Sequence, residues 1–89
     1  MSLIRCSGND KETYDLIYNN EIVAELLVGE DGAQEIADKV RKFIFRYPDC
    51  NIVIQNDSDD PFLGVIIDAY MFDGHIDSIH FMFDDFIDE

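Results

Sequence analysis

Residues 62–83 read FLGVIIDAYMFDGHIDSIHFMF, and the fold turns on how this stretch is taken. Asp73-Gly74 is the dipeptide that most strongly signals a tight hairpin, because both residues tolerate a positive φ. Apolar arms flank it, Phe62 to Phe72 on one side and His75 to Phe83 on the other. In the first arm Val65, Ile67, Ala69 and Met71 share one face, and Ile66, Asp68, Tyr70 and Phe72 share the opposite one. The second arm carries Ile and Phe, which suit a pleated surface. Ile76, Ile79, Phe83, Phe86 and Ile87 also fit a helical spacing, so a short C-terminal helix is the alternative. The turn signal favours the strand.

Upstream, Asn51 to Gln55 reads as a short buried strand, and Asn56 to Pro61 as a polar loop closed by proline. Before it, Ala33, Ile36, Ala37, Val40, Phe43, Ile44 and Tyr47 follow the i, i+3, i+4, i+7 pattern of an amphipathic helix. Asp31 is the expected N-cap and Pro48 the stop. Acids come early in this helix (Glu30, Asp31, Glu35, Asp38) and cations late (Lys39, Arg41, Lys42, Arg46), which complements the macrodipole. Tyr14 to Tyr18 and Glu21 to Val28 alternate around Asn19-Asn20, a second hairpin signal. Ile22, Ala24, Leu26 and Val28 then share one face. Leu3 to Cys6 reads as a further short strand. The expected architecture is therefore one α+β domain over residues 1–89, β-β-β-α-β-β-β. It is an antiparallel sheet with one amphipathic helix packed on one face.

The charge is the unusual quantity. The 89 residues carry a net charge of −14. From Tyr47 onward there is no Lys or Arg, yet eleven acids: Asp49, Asp57, Asp59, Asp60, Asp68, Asp73, Asp77, Asp84, Asp85, Asp88 and Glu89. They alternate with β-branched and aromatic runs, which a disordered acidic tail lacks. The acids are therefore expected on a packed scaffold. Such a balance excludes direct binding of nucleic acid or of an anionic membrane, since both begin with Lys and Arg. It favours basic protein partners.

No catalytic constellation emerges. Ser78 and His80 share a strand face and Asp68 is a conceivable third member, but no turn before a helix supplies an oxyanion hole. His75 and Asp77 would share a face, while His75 and His80 would point apart, which gives no metal set. Asp57-Ser58-Asp59-Asp60 starts like a calcium loop but lacks the turn glycine and the distal Glu. Glu30 and Asp31 would repel a phosphate at the helix start. No cofactor and no enzymatic activity are expected. Cys6 and Cys50 read as reduced thiols of a cytoplasmic protein, since no signal peptide or membrane span is visible.

What is left is a surface. Acids at alternate strand positions stand ~7 Å apart on one face, a spacing suited to imitating a charged polymer. In size and acidity the chain resembles the small acidic inhibitors that bacteriophages deploy against restriction, CRISPR and DNA-repair enzymes, although no residue motif carries the likeness. That resemblance implies an inhibitor that mimics nucleic acid and blocks a basic nucleic-acid-binding protein, of anti-CRISPR or anti-restriction type. The expected contact residues are Asp57, Asp59, Asp60, Asp68, Asp73, Asp77, Asp84 and Asp85 as phosphate substitutes, with Tyr70 and Phe72 as apolar anchors. An immunity protein that neutralises a basic nuclease toxin has the same charge logic. A non-enzymatic structural domain, with a homodimer covering Ile66, Tyr70 and Phe72, is the third reading. Acidity that serves only solubility or an acidic proteome is the plainest.

Overall fold

The computed structural model describes residues 4–9, 13–57, 59, 60 and 62–86. Ile87, Asp88 and Glu89, Leu3 and Pro61, to which the sequence reading assigns roles, lie outside the described residues. The element order is β1 (Ile4–Gly8), β2 (Tyr14–Tyr18), β3 (Glu21–Leu26), α1 (Glu30–Arg46), β4 (Asn51–Asn56), β5 (Gly64–Met71), β6 (Gly74–Met82) and a 3-10 turn, η1 (Phe83–Phe86). The expected β-β-β-α-β-β-β order is thus present. The last arm is a strand as far as Met82, and only its end coils.

The strands form two antiparallel sheets of three, β1-β2-β3 and β4-β5-β6, where one sheet was expected. Asn56, the last residue of β4, bridges the two sheets. Its side-chain Oδ1 accepts a hydrogen bond from the Glu25 backbone N at 3.0 Å, and its Nδ2 donates to the Glu25 carbonyl at 2.9 Å. One side-chain amide thus supplies the donor and acceptor that a neighbouring strand would supply.

Both sheets share one core. Ala33, Ile36, Ala37, Val40 and Phe43 of α1 pack with Leu16, Ala24 and Leu26 of the first sheet and with Ile54, Val65, Ile67, Ala69 and Phe81 of the second. These include the residues that helical and alternating periodicity assign to the inner faces. Gly29, not Asp31, caps the helix, with no side-chain bond. Glu30 and Asp31 instead occupy the first turn, where their charge still complements the dipole. Arg41 bonds Asp38 and also donates to the Ile4 carbonyl, tying α1 to β1.

Two bulges alter the expected faces. Between β2 and β3 the register shifts after Leu16, pairing Leu16 with Ala24 but Ile17 with Ile22. Ile22 is thereby turned to solvent instead of joining Ala24 and Leu26. Between β5 and β6, Ala69 pairs with Asp77 and Tyr70 with His75, so Ile76 is the extra residue. The hairpin tip is also one residue earlier than expected. Gly74 takes φ +136° and closes against Met71, leaving Phe72 and Asp73 as the two tip residues. Asn19 and Asn20, at φ 53° and 67°, form the other tip as anticipated. Cys6 and Cys50 are free thiols.

Candidate functional site

The fold divides the ten expected contact residues into three groups. Asp57, Asp68 and Asp77 are engaged within the molecule. Asp59, Asp60, Asp84 and Asp85 are exposed at one end. Asp73, Tyr70 and Phe72 are at the tip of the β5–β6 hairpin, Phe72 being 98% exposed. Gly64 to Ala69 of β5 separate Tyr70 from the acidic end, about 20 Å at ~3.4 Å per residue. The apolar anchors therefore stand far from the densest acids, not among them.

Asp57 is only 8% exposed. Its Oδ1 accepts the backbone N–H of Asp59 at 2.8 Å and of Asp60 at 3.4 Å, so it shapes the loop that follows β4. Its Oδ2 lies 3.1 Å from His80 Nε2. His80 reaches it by crossing the central strand over Gly64, where a Cβ would sit 3.1 Å from that same nitrogen. Asp68 lies 3.3 Å from His75 Nε2, and the His75 ring meets Tyr70 edge-on at 5.1 Å between centroids.

The bulge at Ile76 explains this arrangement and corrects two expectations. His75 and Asp77 do not share a face, and His75 and His80 do not point apart. Both histidines face away from α1, each beside a carboxylate. Asp77 faces the helix side, where Tyr47 Oη donates to its Oδ2 at 2.6 Å and Ser78 N donates to its Oδ1 at 2.8 Å. The Tyr47 hydrogen bond, then that of Ser78, hold the Asp77 carboxyl below its ordinary range. The same bond, aided by desolvation, raises the Tyr47 hydroxyl. Asp68 and Asp57 thus go to His75 and His80. Among the described residues no three His, Cys, Asp or Glu side chains are placed to hold a metal.

The exposed acids converge through backbone contacts. Phe83 N donates to the Leu63 carbonyl at 2.9 Å, which sets η1 beside the loop carrying Asp59 and Asp60. Phe86, at the other end of η1, lies against Gly32 in α1 so closely that a Cβ there would overlap its carbonyl oxygen. The loop, η1 and the first turn of α1 therefore form one end of the molecule. It carries three exposed pairs, Asp59–Asp60, Asp84–Asp85 and Glu30–Asp31. Glu30 and Asp31 are not among the expected contact residues. Their membership of this surface depends on Gly32, whose contact with Phe86 has no local signal.

Among the described residues the cations lie elsewhere, Arg5 on β1 and the other four on α1. Arg41 is engaged by Asp38 and Ile4, while Lys39, Lys42 and Arg46 are exposed on the later part of α1. Chemically, the acidic end can present fixed negative charge to a basic surface, and the hairpin can supply apolar contact. Among the described residues no helix is long and apolar enough to cross a membrane. No protein-family model, no curated protein and no solved structure matches the chain.

Proposed function

We propose that this chain is a non-enzymatic binding protein that sets its acidic end against the basic groove of a nucleic-acid-binding protein and competes with nucleic acid for it. The observation that carries the reading is the convergence of Asp59–Asp60, Asp84–Asp85 and Glu30–Asp31 on one end, held by η1. Three carboxylate pairs on a backbone already fixed by hydrogen bonds lose little conformational freedom on binding. They present charge in the closely spaced way that a phosphate backbone does. Asp57 serves by shaping the loop under Asp59 and Asp60 rather than by contact.

The finer reading is an inhibitor of phage type, directed at a restriction or CRISPR enzyme. An immunity protein against a nuclease toxin would use the same surface. In either case association is fast and weakens with ionic strength, because it is steered by opposite charge. The test is affinity capture of basic proteins by the wild type and by a D59K/D60K/D84K/D85K variant. The reading expects capture that duplex DNA or RNA displaces, that falls as salt is raised, and that the variant loses. Capture indifferent to salt, to nucleic acid and to the four reversals would overturn it.

A further inference from the structure

β6 is the outermost strand of its sheet, so one side of its backbone has no strand beside it. Such an edge is a template for any extended segment unless something closes it. The register tells which groups are open. Phe83 N bonds the Leu63 carbonyl, and antiparallel strands bond at every second residue. Phe81, Ile79 and Asp77, opposite Val65, Ile67 and Ala69, therefore turn their backbone groups to β5. Ser78, His80 and Met82 turn theirs outward. The bulge at Ile76 ends this regular run on one side, and η1 ends it on the other.

The first of these outward residues is closed. Ser78 N donates to Asp77 Oδ1 at 2.8 Å, so a carboxylate occupies the place an incoming carbonyl would need. Tyr47 Oη donates to the other oxygen, Oδ2, at 2.6 Å and fixes the carboxylate there. The Tyr47 ring is itself set against Phe43 of α1, with 5.2 Å between centroids. The outer strand of the other sheet has a like arrangement. In β1 the Ile4 carbonyl accepts Arg41 Nη2 at 3.0 Å, and Asp38 holds that guanidinium. On both outer strands, then, a charged side chain takes a backbone group, and α1 or its cap residue anchors it.

We infer that Tyr47 and Asp77 form a guard on the β6 edge, which keeps extended peptide segments from adding to the sheet. With Ser78 masked, only His80 and Met82 still offer outward groups, and very short edges discourage pairing. The Asp77 charge beside them acts in the same direction. Tyr47 is a positioning residue, since it touches the carboxylate and not the edge itself.

The guard stands apart from the capture of a basic partner, because it involves neither the acidic end nor a cationic surface. A suitable probe is an amidated fluorescent peptide with the sequence of Gly74–Met82, which is a strand in the fold and carries one aspartate. Its low charge avoids the repulsion that a second whole chain of net charge −14 would meet.

In fluorescence anisotropy, Asp77→Ala is expected to bind this peptide about tenfold more tightly than the wild type, the effect of one to two recovered backbone hydrogen bonds. Tyr47→Phe keeps the ring and frees the carboxylate, so its affinity should lie between the two. Asp59→Ala removes the same charge on the loop after β4 and should leave the affinity at the wild-type level. With no peptide present, the Ser78 amide should exchange faster with solvent in Tyr47→Phe than in the wild type, a readout that needs only the conservative variant. Equal affinity of the wild type and Asp77→Ala, or a gain with Asp59→Ala as large as with Asp77→Ala, would overturn the inference. So would Ser78 exchange indifferent to Tyr47→Phe.

Discussion

Gly32 and Tyr47 show how much rests on single side chains. Within a helix, Gly→Ala ordinarily gains about 1 kcal/mol. At Gly32 the added Cβ would overlap the Phe86 carbonyl and crowd Val28, so η1 must move. Gly32→Ala is therefore expected to destabilise by about 1–3 kcal/mol in urea unfolding, the reverse of the propensity sign. Tyr47 acts through Asp77. Because the folded Asp77 carboxyl titrates below its ordinary range, its stabilisation is present above the ordinary aspartate range and is lost as pH falls through the depressed folded value. Tyr47 is raised, so its share is present below the ordinary tyrosine range and is lost as pH climbs through the raised folded value. Tyr47→Phe should consequently lower Tm near neutrality, and its Tm gap from wild type should narrow in both acid and strong alkali. A gap independent of pH would mean that the ring packs but the hydroxyl does not matter. Neither effect was readable in the chain order, because both partners of each contact come from different elements.

At the scale of elements, periodicity carried the reading and bulges broke it. The α1 stripe and the β5 alternation predicted the buried sides of those elements, since each property is local to its own element. The β5–β6 bulge does not announce itself, because Asp73-Gly74 signals a reversal without fixing the register around it. That register decides that Phe72 stands at the tip and that both histidines face the open side. The junction of the two sheets likewise carries one side chain, Asn56, bonded to the Glu25 backbone. Asn56→Ala removes the two bonds to the Glu25 backbone and leaves a part-buried peptide group unserved. A loss of about 1–3 kcal/mol is expected. The accompanying change is faster amide exchange at Glu25, where β3 adjoins β4, while the β1-β2 hairpin amides hold their protection. Unchanged exchange at Glu25 would show that the junction is maintained by packing alone.

Over the whole molecule, what matters is where a large charge is put. Self-repulsion of −14 opposes compaction, and the fold turns Asp57, Asp68 and Asp77 inward, beside His80, His75 and Tyr47. The remaining acids are not spread evenly, for three exposed pairs meet at one end while Phe72 and Asp73 stand at the hairpin tip. The sequence by itself determined the element order, the helix with its inner stripe, the inner face of β5 and the sign of the charge. All of these follow from local spacing and composition. Only the tertiary structure decided which acids are surface and which are internal. A carboxylate's fate depends on the histidine, tyrosine or amide that long-range packing brings to it. Tertiary contact likewise joined Glu30 and Asp31 to the acids of η1. It did so through the missing side chain of Gly32, which nothing in the neighbouring residues foretells.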